Sequence, residues 1–236
     1  MTQQSFDVVI PCYNPKAGWA KHLINSLKEL NQATPEFKLD KLIVVNDGSP
    51  DGFKSEMGDL ETEEWQLQII EHTINKGKGA AIRSGLGKSQ AAVSMFTDVD
   101  VPYRVEDMAI MIKTVGNGNV DLALGTRGES YYSTLSTFRR LISKGLLRLN
   151  KSLFNLKIGD TQGGLKAMNE VGRNVVLDTT IDRYLFDLET VRSASKKSLR
   201  IIGVEVRLQS GIQLPGLGLR ILIQESGNLL KLLFSR

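Results

Sequence analysis

The chain has few of the residues that build disulfides, zinc sites or membrane spans. Cys12 is its single cysteine, which rules out a disulfide within the chain and is typical of a reducing compartment. Two histidines, His22 and His72, are too few for a histidine-rich zinc site. Residues 1–7 are polar, unlike a secretory leader. A membrane-spanning helix needs about 18 consecutive apolar residues, and no apolar run in the chain is that long. We therefore expect a cytoplasmic protein, either free or peripheral on the inner face of a membrane.

The composition is that of a soluble globular protein with a basic surface. Hydrophobic residues make up 41% of the chain and charged residues 24%, which is ordinary for this class. With 236 residues, the chain is long enough for one large domain or two small ones. A net charge of +4 favours an anionic partner, such as a phosphorylated substrate, a membrane surface or a nucleic acid, although a solvated basic surface explains it equally well.

Apolar runs alternate with helical patterns in the first half of the chain. Apolar residues recur at helical spacing from Trp19 to Leu30, and a second helical stretch runs from the glycine-rich residues 75–79 to residue 88. Buried strands are predicted over residues 6–12, 42–45, 67–70, 91–96 and 121–125. This alternation predicts an α/β fold with a mostly parallel sheet flanked by helices, and such sheets bind ligands beyond the carboxyl ends of their strands.

The second half is more helical and more basic. Residues 135–156 form one apolar and basic helical pattern, and residues 217–234 form a final apolar stretch. Between them we expect a loop over residues 159–164, a helix over residues 184–196 and a strand over residues 200–208. The long helix could lie in a membrane interface with its cations toward the headgroups, or it could pack against the protein's own core. No linker divides the halves, which favours one domain.

Asp98 and Asp100 follow the predicted strand over residues 91–96 directly. Mg²⁺ or Mn²⁺ prefers oxygen ligands, and such ions are often held by one or two carboxylates together with substrate phosphates. Taken alone, such a pair more often marks a solvated turn. Together with the motifs at the neighbouring strand ends, it predicts a metal and diphosphate site.

Two further strand ends carry polar turns. Pro11-Cys12-Tyr13-Asn14 ends the first strand, and Asn46-Asp47-Gly48-Ser49 ends the second. The Asp47 carboxylate could accept a hydrogen bond from a nucleotide base while Tyr13 packs beside the ring, or Asp47 could cap the following helix. These turns predict a nucleotide site at the same edge of the sheet as the carboxylate pair.

A glycine-rich segment over residues 75–83 combines small residues with cations at the start of a helix. Amide groups at a helix amino terminus attract phosphate, and Lys76, Lys78 and Arg83 could neutralise a diphosphate. Two commoner phosphate motifs fail because Ile82 stands where a P-loop needs glycine and a dinucleotide fingerprint needs glycine or alanine. The segment therefore argues against ATP hydrolysis and nicotinamide chemistry.

In this order, the motifs resemble those of the family 2 glycosyltransferases, which have the GT-A fold. They are Pro-Cys-Tyr-Asn, Val-Asn-Asp-Gly-Ser-Pro-Asp-Gly, Asn-Lys-Gly-Lys-Gly-x-x-x-Arg-x-Gly and Asp-Val-Asp, and residues 159–166 and 186–189 add support. The resemblance covers about residues 5–210 and is greatest to the polyprenyl- and dolichyl-phosphate glucosyltransferases and mannose synthases. It implies a single GT-A domain over residues 1–236, with a nucleotide-sugar half over about residues 1–100 and an acceptor half with amphipathic helices over about residues 101–236.

The resemblance implies a role for individual residues. Asp98 and Asp100 would hold Mg²⁺ or Mn²⁺ on the diphosphate, and Arg127 and Arg139 would bind an acceptor phosphate, for which the guanidinium fork is suited. The nucleotide-sugar donor would be bound by Pro11, Tyr13, Asn14, Asp47, Lys76, Gly77, Arg83, Asp98, Val99 and Asp100. The candidate catalytic residues are Asp98 and Asp100, with Asp160 or Asp187 as a general base if the acceptor is a hydroxyl group, unless these two are structural caps.

The expected reaction is an inverting transfer of a hexose, glucose first, from a UDP-sugar to a polyprenyl phosphate at a membrane surface. Two alternatives stay open: transfer to a soluble or polysaccharide hydroxyl, and nucleotide-sugar binding without turnover. Family members usually carry Glu where Pro15 stands, and several carry Gln where Pro102 stands, so donor affinity or identity could differ. No nucleic acid partner is expected, and self-association stays open.

Overall fold

The computed structural model describes residues 3–128, 145, 163–183 and 185–209, apart from the side chains of residues 51, 52 and 54. Within these residues, seven strands form one sheet in the order β3-β2-β1-β4-β6-β5-β7. The strands are β1 (Gln4–Cys12), β2 (Phe37–Asp47), β3 (Gln66–His72), β4 (Val93–Phe96), β5 (Leu122–Arg127), β6 (Lys166–Met168) and β7 (Ile201–Val206). The helices are α1 (Trp19–Ala33), α2 (Lys78–Leu86), α3 (Val105–Gly116), α4 (Glu170–Leu177) and α5 (Phe186–Lys196), with a 3₁₀ helix over Asp51–Leu60.

The sheet is mostly parallel, as the alternation of strands and helices predicts. The strands β1 to β4 pair in parallel, and so do β5 and β7. The exception is β6, which runs antiparallel to both β4 and β5. Every strand expected from the sequence is present within a few residues of its predicted bounds, whereas β6, α3, α4 and the 3₁₀ helix were not predicted. The predicted helix over residues 135–156 and the apolar stretch over residues 217–234 lie outside the described residues.

Alternation along β1 divides the core into two layers. Val8 and Ile10 are buried on the face that α1 and α3 cover, together with Leu23 and Met108 from those helices. The intervening Val9 is buried in a separate cluster on the other face, which contains apolar side chains of α2, α4 and α5. A central strand covered on both faces reads as a continuous apolar run, which is why residues 6–12 stand out in the sequence. Over the described ranges, no helix has the length and apolar character needed to cross a membrane.

Candidate active site

Parallel pairing brings the predicted polar turns after β1, β2 and β4 to one edge of the sheet. In the register of β1 with its neighbours, Cys12 lies beside Asn46 and Val9 lies beside Phe96, so the turns after β1, β2 and β4 begin close together. The first two turns are joined by hydrogen bonds. The Asn14 amide donates to Ser49 Oγ over 3.0 Å, and the Ser49 amide donates to Asn46 Oδ1 over 2.9 Å.

The carboxylate pair lies in a tight turn after β4. The Val101 amide donates to the Asp98 carbonyl over 2.9 Å, and His22 Nε2 lies 3.1 Å from the Asp100 carbonyl. Burial and the nearby negative charge of Asp98 raise the pKa of Asp100 above its usual value. A divalent cation between the two carboxylates would remove that repulsion.

The donor set at this turn fits a hard divalent cation held jointly with a ligand. Among the residues that the structure describes, no group of three or more His, Cys, Asp or Glu side chains could bind a metal ion by itself. Asp98 and Asp100 would supply two carboxylates and leave the remaining coordination positions to water or phosphate oxygens, which is how Mg²⁺ is usually bound. This chemistry suits Mg²⁺ or Mn²⁺ and does not suit zinc.

Lys78, the first residue of α2, forms an ion pair with Asp98. Burial opposes the ammonium form of Lys78, but the Asp98 and Asp187 carboxylates outweigh it and raise the pKa of this lysine. Tyr103 lies in the same group: burial and the charge of Asp98 raise the pKa of its phenol. The Lys78 cation is thus held among the carboxylates at the edge where the glycine-rich segment was predicted to bind phosphate.

Gly164 packs directly against the Asp98 carboxylate. Its amide donates to Tyr103 Oη over 3.0 Å, and a Cβ atom at this position would overlap Asp98 Oδ2. A larger residue at this position would therefore have to displace the Asp98 carboxylate. Gly164 lies in the segment over residues 159–166 that supports the family resemblance, but its contact with Asp98 was not predicted, because close approach across 66 residues has no sequence signal.

Asp187, a predicted general base, is paired with Lys166. Lys166 lies in β6 with 1% of its surface exposed, and its Nζ also donates to the Gly163 carbonyl over 2.8 Å. The same Nζ lies 5.4 Å from the centre of the Phe96 ring. Asp187 is thus bound to a buried cation, and its role as a proton acceptor stays a prediction. Asp160 and Arg139 lie outside the described residues.

Asp47 is buried and holds the glycine-rich segment in place. Its Oδ1 accepts a hydrogen bond from the Lys76 amide over 2.9 Å, and its Oδ2 accepts one from the Gly77 amide over 2.8 Å. Gly77 has a φ of 107°, a region that favours glycine. The predicted contact of Asp47 with a nucleotide base stays a prediction. Lys76 itself is exposed on the surface of this loop.

Arg83 holds the loop that covers the start of α2. Its guanidinium donates to the Ile181 carbonyl over 2.9 Å and pairs with Asp182, whose carbonyl accepts the Gly79 amide over 2.7 Å. Glu189 fixes the same loop by accepting the Ile181 amide over 2.8 Å. In the described structure Arg83 therefore shapes the phosphate-side loop, and direct contact with the donor stays a prediction.

A cleft of about 400 Å³ opens beside Asp100. It is lined by Tyr13, Asn14, Pro15, Lys16, Ala17, Gly18, Trp19, His22, Val99 and Asp100. Tyr13 is 55% exposed, so its ring is available to a ligand in the cleft. Pro11 is partly buried at the end of β1, and Pro102 is buried with its carbonyl accepting the Gln209 amide over 2.8 Å. Arg127 ends β5 and is partly exposed.

The family model described as Glycosyl transferase family 2 matches residues 7–180. The chain belongs to this family. It is 27% identical over 219 residues to the dolichyl-phosphate beta-glucosyltransferase of Drosophila melanogaster, covering 85% of this chain and 65% of the relative. It is also 25% identical to a UDP-N-acetylglucosamine–dolichyl-phosphate N-acetylglucosaminyltransferase of Methanococcus voltae, covering 88% and 86%. The chain spans less than two thirds of the length of several glucosyltransferase relatives.

Solved structures agree on the fold. Glucosyl-3-phosphoglycerate synthase from Mycobacterium tuberculosis, in complex with Mn²⁺, UDP-glucose and phosphoglyceric acid, matches with a TM-score of 0.63 at 16% identity, covering 96% of this chain and 77% of that one. The mannosyltransferase PcManGT from Pyrobaculum calidifontis, in complex with GDP-mannose and Mn²⁺, matches with a TM-score of 0.54 at 18% identity, covering 85% and 54%. These similarities confirm the GT-A fold.

Proposed function

We propose that this family 2 chain transfers glucose from UDP-glucose to a polyprenyl phosphate. The observation that carries the proposal is the grouping of Asp98, Asp100 and Lys78 beyond the carboxyl end of β4, beside the cleft that Tyr13 lines. Dolichyl-phosphate glucosyltransferases from several organisms are similar to most of the chain, which supports this donor sugar and this acceptor class.

Asp98 and Asp100 would hold Mg²⁺ or Mn²⁺ together with the donor diphosphate. When bound, the ion supplies positive charge that stabilises the departing nucleoside diphosphate. Lys78 would then turn from Asp98 toward the phosphates, and the exposed Lys76 would add a second cation. A synthase of similar fold was solved with Mn²⁺ and UDP or UDP-glucose, which supports the use of a divalent ion by this fold.

UDP-glucose is proposed ahead of other UDP-hexoses, and GDP-mannose comes last. Glucose is preferred because the chain is similar to dolichyl-phosphate beta-glucosyltransferases. Mannose stays a candidate because the chain is also similar to a dolichol-phosphate mannosyltransferase. Calorimetry with UDP and GDP in the presence of Mn²⁺ tests it. UDP should bind more tightly, and GDP bound at least tenfold more tightly would reverse the assignment.

A phosphate acceptor fits the pairing of Asp187 with Lys166. A phosphate oxygen arrives as an anion and needs no strong base, whereas a hydroxyl group must lose a proton to a carboxylate. Because Asp187 is already paired with the buried Lys166, it is poorly placed to take that proton. Displacement by the phosphate oxygen at the anomeric carbon would invert its configuration.

Arg127 and Arg139 are the proposed acceptor-phosphate residues. Arg127→Ala or Arg139→Ala should raise the KM for polyprenyl phosphate by about ten- to a hundredfold, because a hydrogen bond to a charged group contributes about 1.5–3 kcal/mol. The affinity for UDP should hardly change. Lys38→Ala, which removes an exposed cation near the amino end of β2, is the matched control and should leave both values unaltered.

Contact with a membrane surface is the remaining part of the proposal. The protein should sediment with anionic vesicles at low salt and dissociate as salt screens the charges. If it does not bind such vesicles and transfers glucose to a soluble hydroxyl acceptor with Arg127 and Arg139 dispensable, the alternative of a soluble or polysaccharide hydroxyl acceptor is correct. A single domain over residues 1–236 and a cytoplasmic location are proposed with it.

A further inference from the structure

A buried chain of hydrogen bonds joins β2, β3 and α2 behind the glycine-rich loop. His72, the last residue of β3, places Nδ1 2.7 Å from Asp47 Oδ1 and Nε2 3.0 Å from Ser84 Oγ. Asp47 is 3% exposed and His72 is 9% exposed, so water contributes little to holding either side chain. We name Asp47, His72 and Ser84 the inner relay.

The chemistry of the three groups fixes where the protons lie. A carboxylate oxygen only accepts, so Nδ1 of His72 carries a proton and donates it to Asp47. The Ser84 hydroxyl can donate to Nε2 when the ring is neutral or accept from it when the ring is charged. The relay is therefore satisfied in both states of the ring, and the Asp47 carboxylate keeps one orientation.

That orientation determines the path of the glycine-rich loop. The two Asp47 oxygens accept the amides of Lys76 and Gly77, on the loop that carries the exposed Lys76 and leads into Lys78. The loop also packs tightly against the turn after β2: a Cβ atom at Gly48 would lie 2.5 Å from the Asn75 nitrogen. A rotated Asp47 carboxylate would release both amides and let the loop move away from the position at which its lysines meet a ligand.

We propose that His72 is a positioning residue for the donor diphosphate, acting through Asp47 and the amides of Lys76 and Gly77. The inference rests on the proposed function only in naming the ligand as a nucleoside diphosphate. Of the about four acceptor sites on the Asp47 carboxylate, donors from His72, Lys76 and Gly77 occupy three, so its main role here is to hold the loop. Weakening the relay should therefore lower the affinity for nucleoside diphosphates without regard to their base.

A matched pair of substitutions isolates the contact. In His72→Asn the amide nitrogen can take the place of Nδ1 and still donate to Asp47, whereas in His72→Gln it reaches the place of Nε2 and meets Ser84 instead. Amide exchange by NMR, without any ligand, should show Lys76 and Gly77 exchanging about tenfold faster in the Gln variant and near the native rate in the Asn variant. Glu71→Gln, at an exposed neighbour on the same strand, is the control and should change neither amide.

Binding of UDP and of GDP in the presence of Mn²⁺ provides the second readout. His72→Gln should weaken both nucleotides by about the same factor, near tenfold, and His72→Asn should restore both. Loss of UDP affinity alone would show that Asp47 reads the base, and equal behaviour of the Asn and Gln variants would show that His72 only fills space. Either result overturns the inference.

Two measurements keep the test decisive. If His72→Gln does not fold, as judged by circular dichroism, Ser84→Ala removes the outer bond alone and should speed exchange of the two amides by about two- to threefold. Unchanged exchange in Ser84→Ala would then contradict the relay. If the native protein binds neither nucleotide, the proposed function fails, while the exchange rates still decide whether His72 holds the loop.

Discussion

The polar groups at the two ends of β4 differ in how far they are buried and paired. At the amino end, Asp7 Oδ2 accepts hydrogen bonds from the Ser89 hydroxyl over 2.7 Å and from the Ala91 amide over 3.2 Å. Arg173 donates to Ser94 Oγ over 2.9 Å and to the Ala91 carbonyl over 3.1 Å. All five residues are buried, and except for Asp7 Oδ1 their side-chain polar groups are paired inside the protein.

At the carboxyl end, the charges are only partly matched. Lys78 and Asp98 form a pair whose side chains are 34% and 35% exposed. Asp100 is exposed as a residue, although partial desolvation of its carboxyl group and the charge of Asp98 raise its pKa. A network closed within the core contributes to stability, whereas carboxylates left partly open and repelling each other are available to a ligand. The comparison therefore assigns stability to one end of the strand and binding to the other.

Asp98→Ala should break the binding end with the largest effect on activity. If Asp98 holds the metal and diphosphate as proposed, its loss should reduce transfer by on the order of a thousandfold, since such charge stabilisation amounts to several kcal/mol. The melting temperature should stay near the native value, because Asp98 is partly exposed. Turnover measured by release of UDP checks the first expectation, and near-normal turnover would show that the carboxylate pair is not the metal site.

Lys166→Met and Lys78→Met compare the stability cost of breaking a buried lysine–aspartate pair with the cost of breaking a partly exposed one. Lys166 is 1% exposed, so its loss leaves the Asp187 charge buried without a partner and should cost about 3–5 kcal/mol of unfolding free energy. The more exposed Lys78 pair should cost within about 1 kcal/mol, while UDP affinity falls. Urea denaturation gives both free energies, and equal costs would mean that burial does not distinguish the pairs.

Arg173→Met tests the amino end of β4. The substitution removes donors to Ala91 and Ser94 and should lower the unfolding free energy by about 1–3 kcal/mol. The affinity for UDP with Mn²⁺ should be unchanged, because these contacts lie at the opposite end of the strand from Asp98. A variant that is as stable as the native protein, or that binds UDP less tightly, would contradict the division between the two ends.

The smallest expected effect concerns acid stability. Hydrogen bonds from Arg200 hold the pKa of Asp121 well below its usual range. A lowered folded-state pKa contributes stability that is present above the unfolded value, about 3.9, and is lost as the pH falls through the folded value. Asp121→Asn should therefore lower the unfolding free energy by about 1 kcal/mol at pH 7. The effect is modest because the Arg200 side chain is 55% exposed, so that solvent screens the pair. Urea denaturation across pH should show this difference shrinking below about pH 4, and a constant difference would argue against the ion pair.

The sequence predicts the parallel part of the fold well because its central strands are apolar on both faces. Residues 6–12 and 42–45 stand out as continuous runs, and the structure extends them to β1 and β2. By contrast, β6 has only three residues and pairs with strands distant in sequence, so no local pattern predicts it. The short α4 contains Gly172 and several valines, and its signal was the Asn169 cap, whose side chain accepts the Gly172 amide.

In the site, too, local features were predictable and long-range contacts were not. The position of Asp98 and Asp100 at the end of a strand was predictable because both follow an apolar run directly. The partners of Asp98 and Asp187 were not, because Lys78 and Lys166 meet them only through long-range packing. His72 is a further example: a lone histidine at the end of a strand gives no sign that it holds Asp47, which lies 25 positions earlier in the chain.

The most direct test of the account is transfer of labelled glucose from UDP-glucose to a polyprenyl phosphate, with Mn²⁺ present and the product extracted into organic solvent. The native protein and Arg173→Met should both form the lipid-linked product once the latter is assayed below its melting temperature, whereas Asp98→Ala should form none. If the native protein binds UDP but forms no lipid-linked glucose, or if Asp98→Ala forms as much as the native protein, the carboxyl end of β4 is not the site of this reaction.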